Sequence, residues 1–416
     1  MPCKSPFDHP KADWLYWTPT REGKYLHMDF RLTDKQKRLI AAFREFGRTY
    51  FKDEQVMQWC KDQGLPDEIA QGFVDLYFNL PELWDNEAND AFTLTSQALV
   101  LEELSRCAGA TLPFQNDLFN LRIIEEFATS GEFLPILEDY RHTGRLLFGL
   151  GISEPDAGSD CMNMQAHTRT VNGKPVLNGV KTYVNNGEYA PFLLVAAIDQ
   201  DEDDSGPYPP LAFWLVPRSL PGITAYPISK IGQSMVPFAT IAFDSVQLSP
   251  DFRLTGGHGG FRQLFRLLEI GRVFTCASSV GMASAAMHDA VNHACHRKAF
   301  GTNIGSFQQI GQMLTDMEVS ICNMRSILYR AASCIDNRTE DERLNVALMK
   351  RYVPETATKV ASDAMQILGG GGYSERCRTG RIWQDCRGNQ IAEGTDEIMV
   401  YIAAPLILEK YRSDQL

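Results

Sequence analysis

The sequence predicts an α+β chain in which a helical N-terminal part, a compact β part and a C-terminal helical bundle follow one another. Apolar residues recur at helical spacing from Thr33 to about residue 145, and short strand-like runs split by turn residues fill 146 to 260. The helical period then returns after Gly256-Gly257-His258-Gly259-Gly260. At 416 residues, 44% hydrophobic and 22% charged, the chain is long enough for two or three subdomains around substantial cores.

Residues 1–27 are rich in Pro, Trp and Tyr, show no clear period, and read as an extension. Thr33 is placed to cap a first helix whose core face carries Leu39, Phe43 and Phe46. Gly64-Leu65-Pro66 and Leu80-Pro81 break this helical part, and Leu99, Leu101 and Leu104 continue its apolar face. The β part shows as Val176-Leu177, Val180 to Val184, Phe192 to Ala197, Leu211 to Val216 and Thr240 to Phe243, separated by Asn-Gly, Pro-Tyr-Pro-Pro and Pro-Gly turns. The acidic stretch from Asp199 to Pro207 reads as a solvated loop. Beyond 260, Phe261, Leu264, Phe265 and Leu268 form one stripe, and Phe307, Ile310, Met313, Leu314, Met317, Ile321 and Met324 form another. These stripes are bundle seams. The expected division is therefore 1–27, 28–145, 146–260 and 261–416.

Composition narrows the function. A net charge of −12 disfavours nucleic acid, whose phosphates need clustered Lys and Arg, although local Arg residues can still hold a small anion. No run of about 18 apolar residues offers a membrane span, and Met1 to Pro10 lacks the apolar core of a secretion signal, so a cytoplasmic location is expected. Ten scattered cysteines without a Cys-x-x-Cys fit buried thiols better than a disulfide frame. His293 and His296 flank Cys295, but no carboxylate completes a metal set.

Chemistry concentrates near the C-terminus. Glu393-Gly394-Thr395-Asp396-Glu397-Ile398 reads as a loop delivering Glu393 to a helix mouth, with Thr395 as cap and two acids in the first turn. Gly151 to Asp160, Gly-Ile-Ser-Glu-Pro-Asp-Ala-Gly-Ser-Asp, is dense in small and hydroxyl residues that let backbone N–H groups approach a planar or anionic ligand. Gly149-Leu150-Gly151 begins like a dinucleotide fingerprint, but the third glycine and the βαβ frame are missing. Arg297 offers a planar fork suited to a pyrophosphate.

In order along the chain, these stretches resemble the signatures of the FAD-dependent acyl-CoA dehydrogenase family. Ser153 to Asp160 resembles Thr-Glu-Pro-x-Ala-Gly-Ser-Asp, Lys181 to Gly187 resembles Lys-x-Trp-Ile-Thr-Asn-Gly, and Arg297 to Gly301 resembles Arg-x-x-Phe-Gly. Met365 to Gly372 and Trp383 to Ile398 resemble the two C-terminal signatures. The resemblance implies a helical N-domain, a central β-barrel-like domain and a C-terminal four-helix bundle. It implies that Glu393 is the catalytic base, and that Leu150, Ile152, Ser153, Tyr183, Val184 and Asn185 lie along the flavin. Ser159 meets FAD phosphate or the thioester arm, and Thr395 and Glu397 also meet FAD. Arg297, Phe300, Gln308, Gln366, Ile367, Gly369 and Gly370 are implied to complete a neighbouring subunit's FAD site, which makes the protein a homo-oligomer, a tetramer or dimer. Glu269, Arg272 and Gly394 are implied to face the acyl-CoA. Two departures stand out: Asn185 replaces a Thr that bonds the flavin edge, and 78–92 lacks the Pro-Glu-x-x-Gly-Gly turn at the rim of the acyl pocket.

A minority of the family puts the base immediately before the Arg at 272; that slot is Gly271 here, while the slot at 393 is filled. The implied reaction is α,β-dehydrogenation of an acyl-CoA in fatty acid or amino acid catabolism, with electrons leaving through an electron-transfer flavoprotein. Glu102 to Ala110 and Ile304 to Gln308 also resemble the crotonobetainyl-CoA reductase branch, which keeps enoyl-CoA reduction as an alternative. A non-catalytic flavin- or CoA-binding scaffold is the third reading.

Overall fold

The computed structural model describes residues 31–80, 93–127, 134–145, 148–202, 208–254 and 260–413. The chain divides into two units, Met1–Arg31 and Leu32–Leu416, and the second carries every element below. The extension at 1–27 and most of the altered segment at 78–92 lie outside the described residues.

Among the described residues six helices come first: α1 (Asp34–Tyr50), α2 (Asp53–Asp62), α3 (Asp67–Asn79), α4 (Leu94–Ala108), α5 (Phe114–Phe127) and α6 (Leu134–Thr143). Thr33 and Gln36 close a reciprocal capping box on α1, satisfying two backbone donors that the helix itself leaves free. Phe43, Phe73 and Phe114 meet in the core, the last two stacked with ring centroids 4.0 Å apart. Packing of these rings sets how α1, α3 and α5 approach one another.

Eight strands of the described residues then form one sheet: β1 (Phe148–Gly151), β2 (His167–Val171), β3 (Lys174–Asn185), β4 (Phe192–Asp199), β5 (Leu211–Pro217), β6 (Ile223–Ile228), β7 (Phe238–Gln247) and β8 (Arg253–Leu254). Their order is β6-β7-β3-β2-β4-β5-β8, with β1 pairing in parallel with β4. Leu177, Val184, Trp214, Ile241 and Phe243 share a core of their own. The acidic stretch departs from expectation at its start, because Asp199 belongs to β4, is buried, and pairs with Arg253 at 3.0 Å. Strand pairing has drawn it in, and the ion pair compensates its burial.

The C-terminal part holds α7 (Phe261–His296), the β9–β10 hairpin (Lys298–Ala299, Thr302–Asn303), α8 (Gln308–Asp336), α9 (Glu342–Leu368), α10 (Arg378–Asn389) and α11 (Asp396–Ser413). Both stripes read from the sequence face the core, Phe307 at the mouth of α8 excepted. A Cβ at Gly281 of α7 would lie 2.2 Å from the Glu102 carbonyl of α4, so glycine permits this helix crossing. Glu102 in turn holds α8 through Arg325, at 2.7 Å, and Tyr329. Asp336, at the end of α8, accepts from the Leu94 and Thr95 amides at the mouth of α4.

One buried carboxylate joins all three parts. Asp385 of α10 accepts the Thr111 amide, between α4 and α5, and the Gln233 amide, between β6 and β7. Burial raises its pKa, and those two amides pull it back down.

Candidate active site

Glu393 follows α10 in a turn whose backbone is unusual: φ is 56° at Glu393 and 94° at Gly394. Glycine adopts such angles freely, whereas a glutamate does so only where its surroundings hold it. The holding groups are cations. Arg272 Nε of α7 donates to the Glu393 carbonyl at 2.9 Å, and Lys350 Nζ of α9 donates to the Gly394 carbonyl at 3.0 Å. The following helix is capped as the sequence predicts, the Ile398 amide donating to Thr395 Oγ1.

The side chain of Glu393 turns onto α7. A Cβ built at Gly271 would lie 2.7 Å from Glu393 Oε2 and 3.3 Å from Phe119 Cζ of α5, so carboxylate, helix and ring converge on one point. Glu393 keeps some exposure as a residue, but Oε2 is enclosed without a hydrogen-bond partner. Burial raises its pKa, partly offset by Arg272 and Lys350. An unpaired carboxylate so held is suited to receiving a proton. The Glu393 amide carries no hydrogen-bond partner among the described residues. One helical turn away, Gln115 Nε2 of α5 meets Thr275 Oγ1 of α7 at 3.4 Å, and Gln115 Oε1 is buried without a partner.

The second group forms where β1 runs into the 152–157 loop beside β3. The Thr182 amide donates to the Ser153 carbonyl at 2.8 Å. Lys181 Nζ, inside the sheet domain, donates to the Ile152 carbonyl at 3.0 Å and to Glu154 Oε1 at 2.7 Å. Glu154 also accepts the Gln165 and Ala166 amides. This buried ion pair fixes the loop bearing Ile152 and Ser153. In β3, pairing with β7 shifts register between Lys181 and Val184, and Tyr183 takes φ 57°. Tyr183 is left 60% exposed, its ring 6.2 Å from that of Phe238. Asn185 Oδ1 is buried without a partner. An exposed ring beside an orphaned amide oxygen, with fixed loop carbonyls and small residues alongside, fits a planar heteroaromatic ligand that hydrogen bonds at its edge. Val184 is buried, so it can offer such a ligand only backbone. Leu150 is half-buried, and Ser159 is exposed on the turn beyond.

The remaining candidates sit elsewhere on the chain. Arg297 ends α7, Phe300 on the β9–β10 hairpin is 98% exposed, and Gln308 opens α8. Gln366, Gly369 and Gly370 are exposed at the end of α9, whereas Ile367 is buried in the core. Among the described residues, no hydrogen bond or ion pair links this group to the 150–185 group. Glu397 is exposed in the first turn of α11.

Glu269 lies 3.9 Å from Arg266, which also bonds Glu342, so it belongs to an ion cluster of the bundle. Burial and Glu342 raise its pKa. Arg272 is buried and its Nε is taken by the Glu393 carbonyl, so it shapes the loop from within. Sequence reasoning missed Lys350 and the Lys181–Glu154 pair.

Comparison with known proteins decides the family. The family model "Acyl-CoA dehydrogenase, middle domain" matches residues 149–246, and "Acyl-CoA dehydrogenase, C-terminal domain" matches 258–408. The chain belongs to the acyl-CoA dehydrogenase family. It is 33% identical over 390 residues to a probable acyl-CoA dehydrogenase, YdiO, of Escherichia coli strain K12, covering 93% of this chain and 100% of that one. An acyl-CoA dehydrogenase structure from Slackia heliotrinireducens is 52% identical, with a TM-score of 0.82, over 92% of this chain and 98% of that one. Butyryl-CoA dehydrogenase from Megasphaera elsdenii is 26% identical, also at 0.82, over 92% and 100%. The family fold of helical domains around a central sheet domain is the one described above. This acyl-CoA dehydrogenase relative is therefore an oxidoreductase. Among its described residues no helix is long and apolar enough to cross a membrane.

Proposed function

We propose that the chain oxidises the α,β-bond of an acyl-CoA thioester, with Glu393 removing the α-proton. The observation that carries this reading is the enclosed, unpartnered Oε2 of Glu393 over Gly271. A carboxylate in water is too weak a base for such a carbon acid. Burial raises the basicity of this one, and the free Glu393 amide can stabilise the thioester oxygen as it gains enolate character.

FAD, when bound, accepts the hydride leaving the β-carbon. Tyr183 and the Ile152–Ser153 loop would cover its ring system, and the Asn185 amide can either donate to or accept from its edge. Arg297, Phe300, Gln308, Gln366, Gly369 and Gly370 are assigned to the flavin of a second copy, in a dimer or tetramer. Their exposure, apart from the sheet-domain group, supports that assignment. An electron-transfer flavoprotein is the proposed electron acceptor, and the domain division at about 28, 146 and 261 is proposed with it.

The acyl chain is proposed to run past Phe119 towards Gln115 and Thr275. A floor with an unpartnered carbonyl favours short acyl groups or ones that end in a hydrogen-bond donor.

Enoyl-CoA reduction is the second reading. It is favoured by the raised pKa of Glu393, which lets the same group deliver a proton in the reverse direction.

Anaerobic titration of the holoprotein with saturated acyl-CoAs tests the proposal. Flavin bleaching by one of them is expected, and Glu393→Gln should keep the yellow colour while turnover falls by about 10⁴-fold. Turnover retained by Glu393→Gln removes Glu393 as base. A flavin that no saturated acyl-CoA bleaches, yet that after chemical reduction an enoyl-CoA reoxidises, establishes the reductase instead.

A further inference from the structure

We propose that Lys350 is a positioning residue for Glu393: its ammonium group, opposite the Arg272 guanidinium, holds the Glu393–Gly394 peptides in the turn that sets the carboxylate over Gly271. The inference rests on Glu393 being the base.

Lys350 lies in the first third of α9 and is 0% exposed, in a stretch whose neighbours Val346, Ala347, Val353 and Ala357 are core residues. Burying an ammonium group is costly unless it is paired and hydrogen-bonded, and the carboxylates that act on Lys350, Asp396 and Glu393, do so by charge without a hydrogen bond to it. Its hydrogen bond is to the Gly394 carbonyl, at 3.0 Å. A core lysine that spends its charge on a single loop carbonyl does little for packing, since an apolar side chain of similar length would fill the space.

What it does for the loop is specific. Glu393 and Gly394 both take positive φ, 56° and 94°, and their two consecutive carbonyls are bonded from two different helices. Both carbonyls face the cations of α7 and α9, while the Glu393 amide has no hydrogen-bond partner among the described residues. Losing either cation leaves a carbonyl unpaired in the interior and lets the strained Glu393 backbone relax. That relaxation withdraws the carboxylate from Gly271.

Lys350 also acts by charge. The ionisable groups around the Glu393 carboxylate are Arg272 of α7 and Lys350 of α9, both of which stabilise its anion. Around Lys350 stand Cys276 of α7, Asp396 of α11, Arg272 and Glu393 itself. Glu269 of α7 acts on Arg272 rather than on Glu393. Removing the lysine charge therefore makes Glu393 harder to ionise.

The test compares Lys350→Met, Lys350→Gln and Lys350→Arg holoproteins for flavin content, melting temperature, kcat, KM, and the pH dependence of α-deprotonation of a 3-thia-acyl-CoA. That analogue can lose its α-proton, but sulfur in place of the β-carbon blocks hydride loss. For Lys350→Met, kcat should fall about 10- to 100-fold, KM should change by less than about threefold, and melting should stay level or rise. Both neutral variants should move α-deprotonation to higher pH, and Lys350→Arg should restore the wild-type profile. Overturning results are a flavin-bearing neutral variant with wild-type kcat and pH profile, or failure of both neutral variants to fold, which would make the lysine purely structural. If Glu393→Gln turns over normally, the base assignment itself fails; if it is dead while Lys350→Met matches wild type, only the present inference does.

Discussion

Gly271 and Glu393, 122 positions apart in sequence, occupy one space: a Cβ at Gly271 would stand 2.7 Å from Glu393 Oε2 and 2.9 Å from Cδ. The carboxylate rests where α7 has no side chain. Gly271→Ala should push it aside and lower the rate of flavin bleaching by about 100-fold. The same change removes an internal helix glycine, so melting should hold or rise by the equivalent of up to about 1 kcal/mol. Because the two slots converge, Gly271→Glu combined with Glu393→Gly should recover part of the bleaching rate lost in Glu393→Gly alone. A double variant as slow as the single one would show that the slots do not share the substrate carbon.

The order of helical, sheet and helical parts was legible because it is written in periods of 3.6 and 2, and Thr33 and Thr395 because caps are local. Glu393 and Gly271 could be paired from sequence only through family resemblance; their contact depends on how α7 meets the α10–α11 loop. Lys350 left no trace, because its partner is a backbone carbonyl, which any residue supplies, 44 positions away. Glu154 stood inside a motif read as ligand-facing, yet its carboxylate points inward to Lys181. The resemblance assigned Arg272 to acyl-CoA; its Nε bond to the Glu393 carbonyl, 121 positions away, is a contact that spacing along the chain does not show. Asp199 was grouped with its acidic neighbours by composition alone, but strand register placed it inside.

Lys181 and Glu154 anchor the loop that carries Ser153 to β3. Lys181→Met leaves the Glu154 carboxylate buried with only the Gln165 and Ala166 amides, and removes the donor to the Ile152 carbonyl. A loss of about 3–5 kcal/mol in urea unfolding is expected, together with release of flavin on dilution. Adding Glu154→Gln should recover part of the stability, since it removes the stranded charge. Equal stability of the single and double variants would mean that the pair contributes through packing alone.

Asp117 of α5 is buried beside the buried Tyr140 hydroxyl, which offsets only part of the effect of that burial. Burial pushes its pKa from 3.8 to about 7. Between those values the unfolded chain loses this proton while the folded chain keeps it, so the contribution to stability falls as pH rises and is fully lost above about 7. The gap corresponds to about 4 kcal/mol at 1.36 kcal/mol per decade. Asp117→Asn should thus gain stability relative to wild type as pH rises from 4 to 7, by roughly 2–4 kcal/mol in chemical unfolding curves. A constant difference across that range would show that Asp117 reaches water in the folded state.

Gln115 and Thr275 set the chemistry at the end of the proposed acyl path. Their contact is long at 3.4 Å, and Gln115 Oε1 keeps an unmet acceptor in the interior. A saturated chain reaching that point would bury the acceptor against methylene groups, whereas a chain ending in a hydroxyl or amide would satisfy it. Gln115→Leu replaces the acceptor with an apolar branch of similar reach. Each methylene that comes into contact with it should then improve kcat/KM for saturated acyl-CoAs by about fourfold, the equivalent of about 0.8 kcal/mol. Short acyl-CoAs with a terminal hydroxyl should lose about 10- to 100-fold, because the bond to Oε1 has gone. Bleaching rates across a series from butyryl- to octanoyl-CoA, with 4-hydroxybutyryl-CoA alongside, measure both effects. If the variant and the wild type rank that series identically, the acyl chain does not reach α5 at Gln115 and the pocket must turn away at Phe119.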